Sequence, residues 1–239
     1  MRNRRSWAPH LTLLLSFAAA LSTPSLADTF QVSPLAPGVQ SPAGITNHYE
    51  TFNAGGTANG FTTTFNGSSY VGTYTGEIIF HPADIYGGAN GIGFYPQAYG
   101  AGATYTLSLN KGASYFGLWL SAFDPGNEIQ FYRGGSLLYT LTPQTVVDLV
   151  GFCSASPYCG NPNNGQVLNQ QFAYLNFYDL DGTFDAIRFT ETLALSGFES
   201  DNHAVDMLSP VPEPLPLVYL ATGILALGFV RRYVSPFLT

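Results

Sequence analysis

The chain has 239 residues, of which 10% are charged and 15% aromatic, with a formal net charge of −7. Between Asp28 and Asp206 the imbalance is sharper: Lys111, Arg133 and Arg188 stand against fourteen acidic residues, a net −11. So acidic a body lacks the electrostatic footprint of a nucleic-acid or anionic-lipid binder and leaves cations, neutral sugars or plain solubility open.

The first segment, MRNRRSWAPHLTLLLSFAAALSTPSLA, places three arginines before an apolar stretch from Leu11 to Leu21 and closes on the small residues Ser25 and Ala27. That is the pattern of a secretory signal peptide over residues 1–27, cut by signal peptidase after Ala27; an uncleaved anchor helix is the competing reading. Residues 28–45, rich in Pro and Ser, read as an extended lead-in, and 46–209 as one domain. About 180 residues remain between the two ends, enough for one sizeable core. Lys, Arg, Met and Glu are scarce there while Thr, Tyr, Phe, Gly and Asn abound, which is the balance of an all-β domain.

Alternation and turn residues then mark strands in order. Phe61–Phe65 and Tyr70–Tyr74 flank Asn66-Gly67-Ser68-Ser69 as a hairpin, followed by Glu77–Phe80, Thr104–Leu109 and Tyr115–Phe123. The stretch SYFGLWLSAFDPGNEIQFYRGGSLLYTL, with turns at Asp124-Pro125-Gly126-Asn127 and Arg133-Gly134-Gly135, predicts a three-stranded meander with Phe116, Leu118 and Leu120 on one face. Pro143–Val150 reads as the one helix, with Thr142 as N-cap, Pro143 in the first turn and Gly151 closing it. Phe152–Gln170 is a long loop. Phe172–Tyr178, Thr183–Thr190, Leu195–Glu199 and His203–Met207 return to strand. The expected fold is all-β: an antiparallel two-sheet sandwich of jelly-roll type with one short helix.

Cys153 and Cys159 are the only cysteines, six apart within the long loop. In an exported chain they predict a local disulfide rather than free thiols.

The chain ends in VPEPLPLVYLATGILALGFVRR and seven more residues. Residues 215–230 carry no charge and span about 24 Å as a helix, short for a bilayer core. Only Tyr219 and Thr222 are polar, so the segment lacks the polar face of a soluble helix and reads as transmembrane, with Arg231 and Arg232 as the cytoplasmic flank. Two prolines keep Pro212-Glu213-Pro214 extended before it; an ordinary proline-rich linker would look similar. The order and terminal position of tripeptide, apolar helix and basic flank resemble the PEP-CTERM sorting signal of Gram-negative bacteria, over residues 210–239. That resemblance implies an exosortase that cuts near Pro212-Glu213-Pro214, a transient inner-membrane anchor and release to the cell surface. The tail from Tyr233 to Thr239 is longer and less basic than the family's pattern. Tyr49-Glu50-Thr51-Phe52-Asn53, the meander and Gly197–Val205 are also similar to an exosortase-dependent surface-protein family. This implies location and fold, with no catalytic residue.

The residues themselves offer little enzymatic chemistry. No G-x-S-x-G is present, His48, His81 and His203 lack metal-ligand spacing, and Gly91–Pro96 lacks the third glycine of a dinucleotide loop. A glycosidase carboxylate pair could hide among the acids, since such pairs meet only in space. For Ca²⁺ there are two candidates: Asp179 and Asp181, two apart before Gly182, and Glu50 with Asp201, placed like the shared structural Ca²⁺ ligands of jelly-roll carbohydrate-binding modules. Both also read as solvated or turn residues. Tyr86, Tyr95, Tyr99 and Tyr158, set in Gly- and Asn-rich loops, are candidates for stacking on sugar rings. The sequence therefore predicts a non-enzymatic exported surface or extracellular-matrix protein, with a carbohydrate-binding module for exopolysaccharide as the alternative.

Overall fold

A computed structural model describes residues 28–42, 48–57 and 60–208. The signal peptide, Pro212, Glu213, Pro214, the 215–230 helix, Arg231 and Arg232 lie outside the described residues, among which no helix is long and apolar enough to cross a membrane.

The strands are β1 (Phe30–Pro34), β2 (Tyr49–Glu50), β3 (Phe61–Thr63), β4 (Gly72–Gly76), β5 (Ile79–Pro82), β6 (Phe94–Tyr99), β7 (Thr104–Ala113), β8 (Tyr115–Phe123), β9 (Asn127–Arg133), β10 (Ser136–Leu141), β11 (Gln171–Asp179), β12 (Phe184–Glu191) and β13 (Gly197–Asp206). They form two antiparallel sheets. One runs β1-β11-β8-β13-β6-β5, with β2 also on β13; the other runs β10-β9-β12-β7-β4-β3. Helix α1 (Pro143–Val150) begins as the sequence predicts, with the Thr145 N–H donating to the Thr142 hydroxyl, and ends at Gly151 with φ of 83°.

Between the sheets lies an aromatic core. Phe131 is ringed by Phe177, Phe184 and Phe30 at centroid distances of 4.9, 5.0 and 5.2 Å. Through the same layer runs a buried polar chain: the Tyr74 hydroxyl is 2.8 Å from His203 Nδ1, Ser200 Oγ is 2.9 Å from His203 Nε2, and the Tyr105 hydroxyl is 2.9 Å from Ser200 Oγ. The side-chain polar atoms of Tyr74, His203, Ser200 and Tyr105 are thereby all partnered, as burial requires.

The second sheet alternates as a half-solvated sheet should: Tyr105 and Leu107 point inward while Ser108 faces out. The first sheet does not. Strand β8 is buried at every position and β13 at all but its last. Trp119, Ala122, Phe172 and Tyr174 on its outer face form a second apolar cluster with Ala89, Leu35 and Val167 from the covering segments.

Three expectations need correction. The meander does not form: β8 lies in the first sheet, and the chain crosses at Asp124–Gly126 so that β9 pairs with β10 and β12 in the second. A positive φ of 44° at Ala122 turns the chain just before the crossing. Leu195–Glu199 and His203–Met207 are one strand, β13, carried through a register shift between Asp201 and Ala204, where Asn202 has φ of 49°. Gly91–Pro96, which lacks the dinucleotide pattern and reads as a loop, runs into strand β6 from Phe94; the lead-in, extended as expected, carries β1.

Candidate functional site

At the end where β8 stops and β13 begins, two clefts adjoin. The first, of about 310 Å³, lies between Tyr86, Tyr99 and Leu195, over a floor that includes Gln97, Ala122, Asp124 and Glu199. The second, of about 510 Å³, is walled by Phe123, Pro125, Pro143, Val147 and Phe152, with Gln144, Asn169 and Gln171. Asp124 and Gln170 line both, so the two clefts adjoin at these side chains and are together termed the groove at this pole.

Local chemistry explains how each side chain gets there. Asp124 organises the crossing, accepting the Gly126 N–H at 2.8 Å and the Ser196 hydroxyl. Asn127, buried beneath, accepts the Asp124 N–H at 3.1 Å and donates to Glu191 Oε2 and the Gly197 carbonyl, each at 2.9 Å. These bonds tie the 192–196 loop to the crossing and leave Leu195 87% exposed at φ of 61°. On the opposite rim, Asp84 accepts the N–H groups of Tyr86 (2.8 Å) and Gly87 (3.1 Å), which fixes the turn that holds the Tyr86 ring out. Tyr99 ends β6 opposite Gly197, half exposed. Phe152, 69% exposed, precedes the Cys153–Cys159 disulfide, whose Cα atoms are 5.3 Å apart. Large exposed apolar side chains thus gather around both clefts at this pole, as they do at interaction surfaces.

The floor is acidic and partly uncharged. Glu199 is buried and accepts from Gln97 Nε2 at 2.5 Å. Burial raises its pKa to about 8, with the charges of Asp124 and Glu191 adding to the rise and the Gln97 bond opposing it, so the acid is neutral at pH 7. Burial likewise raises Glu191. Ser121 Oγ, cross-strand from Glu199, is the one buried side-chain polar atom without a partner among the described residues. Lys111, Arg133 and Arg188 do not line the groove.

Of the four candidate tyrosines, the structure brings Tyr86 and Tyr99 into this groove. Tyr95 is a strand residue, buried, donating to Asp84 Oδ1 at 3.1 Å. Tyr158 donates to the Leu35 carbonyl at 2.8 Å and so pins the lead-in to the disulfide loop. Both are scaffold.

The four candidate Ca²⁺ ligands are engaged by donors of the chain itself. Asp179 accepts the N–H groups of Asp181 and Gly182 on Oδ1 and the Arg133 guanidinium on Oδ2 at 3.0 Å. Arg133 also pairs with Asp28, so a guanidinium sits where a cation was expected. Asp181 Oδ2 takes the Thr29 N–H. Glu50 accepts the Phe52 N–H at 2.7 Å and the Thr63 hydroxyl at 2.5 Å. Asp201 accepts Ala89 N–H at 2.6 Å and Asn202 N–H at 2.7 Å, and burial raises its pKa to about 7. In register, Glu50 stands opposite His203 rather than Asp201. Among the described residues no three His, Cys, Asp or Glu side chains converge on a cation site.

Ser200 and His203 resemble a nucleophile and base, but both are fully buried between the sheets, out of reach of any substrate. Sequence reasoning missed Gln97, Asp124, Gln170, Glu199 and Phe152 as groove residues. Alternation around Phe198, which faces the core, does place Glu199 on the outer face. That loops 84–88 and 192–196 would wall that face is a long-range arrangement without a local signal. Comparisons with protein-family models, curated proteins and solved structures find no match to this chain.

Proposed function

We propose that this chain is a non-enzymatic, exported surface or extracellular-matrix protein, and that its groove binds exopolysaccharide. One observation carries the reading: Tyr86, Tyr99 and Phe152 stand exposed along two adjoining clefts whose lining supplies amides and carboxyls. Aromatic faces pack against the C–H faces of sugar rings while amides and acids take the hydroxyls, and neutral sugars need no basic residue.

Export and sorting belong to the same proposal. The signal peptide delivers the chain across the inner membrane, the 215–230 helix holds it there, and an exosortase cuts near Pro212-Glu213-Pro214. Both ends of the described body support that geometry. The Thr29 carbonyl accepts the Leu180 N–H and the Asp206 carbonyl accepts the Ser114 N–H, so both ends of the described body lie at the pole opposite the groove. The strand order β6-β13-β8-β11 against β7-β12-β9-β10 supports a jelly-roll reading of the sandwich.

Two experiments test the proposal. Glu213→Ala is expected to leave the full-length chain in the inner membrane; surface delivery at wild-type level would contradict the sorting claim. Co-sedimentation of the purified chain with exopolysaccharide isolated from its host is expected, and Tyr99→Ala combined with Phe152→Ala should abolish it. Wild-type recovery of the double variant would remove the groove from the account.

A further inference from the structure

The two halves of the groove differ in chemistry. The first has two tyrosine rings over a carboxyl floor; the second combines five apolar walls with a row of side-chain amides. In that second half Gln144 Nε2 is committed to Asp148 Oδ1 at 2.7 Å and Gln171 Nε2 to the Gly151 carbonyl at 3.1 Å. Each amide thus commits one of its two N–H donors within the chain, while its carbonyl oxygen accepts no hydrogen bond from another described residue.

A plain hexose hydroxyl gains little from an apolar wall. An acetamido group gains from both features at once: its methyl fits against Phe152, Pro143 and Val147, and its N–H donates to an amide carbonyl at the edge of the same patch. The body's net −11 disfavours uronic or sulfated sugars and leaves a neutral acetamido sugar unaffected. We infer that the groove recognises a linear polymer of N-acetylhexosamine, with one sugar against the Tyr86–Tyr99 half and an acetamido group of a neighbouring unit in the Phe152 half. This rests on the glycan-binding reading above and narrows its ligand.

The probes are tetramers of N-acetylglucosamine and of glucose with identical linkage, titrated calorimetrically into the purified full-length chain. The N-acetylated tetramer is expected to bind about tenfold more tightly, the size of one good buried contact. Phe152→Ala is expected to erase that preference, weakening the N-acetylated tetramer about tenfold more than the glucose tetramer; because Phe152 is largely exposed, the variant should keep the wild-type melting temperature. Tyr99→Ala is expected to weaken both tetramers. Equal affinity for the two, or equal loss of both on Phe152→Ala, would overturn the acetamido inference. So would retention on host exopolysaccharide with neither tetramer bound, which leaves glycan binding standing. Failure to bind either tetramer and the exopolysaccharide would overturn the glycan reading itself.

Discussion

Glu199 and His203 lie four residues apart on β13, and burial pushes them in opposite directions. The His203 ring is held neutral, its pKa lowered by burial from 6.5 to about 3. Its contribution to stability is therefore complete above pH 6.5 and is lost as the pH falls toward 3. Glu199 is raised from 4.5 to about 8 and Asp201 from 3.8 to about 7, both chiefly by burial. Their contribution is complete below their unfolded values and is lost as the pH rises through 7 and 8. Between about pH 5 and 6.5 two carboxyls oppose one imidazole, and from 6.5 to 8 these carboxyls titrate without it, so the melting temperature should fall as the pH rises from 5 to 8.5. Glu199→Gln should flatten the upper part of that fall. A melting temperature that climbs across this range would contradict the assignment. Ser121→Ala removes an unpartnered buried hydroxyl and is expected not to lower the melting temperature.

Helix α1 and the disulfide loop form one wall of the groove, and each was readable for a local reason. Thr142, Pro143 and Gly151 cap the helix with groups that act within one turn, and Cys153 and Cys159 lie too close in sequence to need the fold to meet. Reducing the disulfide should remove about 2 kcal/mol of stability, as expected for a short loop, and should weaken glycan binding, because Phe152 is tethered next to Cys153. Unchanged affinity after reduction would show that the wall holds without the bond. What could not be read locally was which sheet each strand joins. The turn at Asp124-Pro125-Gly126-Asn127 suits a hairpin as well as a crossing. The choice is made by pairing partners far away, Phe177 on Phe116 in one sheet and Ile187 on Phe131 in the other. The strand β6 was hidden for a related reason: glycines at 87, 88, 91 and 93 signal a loop up to its first residue, and only pairing with β5 and β13 makes Phe94–Tyr99 extended.

At the scale of the whole molecule the sandwich has two unlike poles. Strand β8 runs from Tyr115, opposite Asp206 and Tyr178, to Phe123, opposite Gln171; β13 runs the other way, from Gly197 to Asp206. Ten strand residues put the poles about 30 Å apart. Both ends of the described body lie at one pole, and the aromatic groove occupies the other. Composition anticipated the acidic, all-β body, but a groove assembled from six separate segments has no linear pattern to read. Hydrogen exchange of the full-length chain with and without host exopolysaccharide tests the central claim most directly. The account predicts added protection in residues 84–88, 97–99, 122–126, 143–152, 168–171 and 192–199, and none around Thr29, Ser114, Leu180 and Asp206. Protection centred on that second group, or no change anywhere, would contradict it.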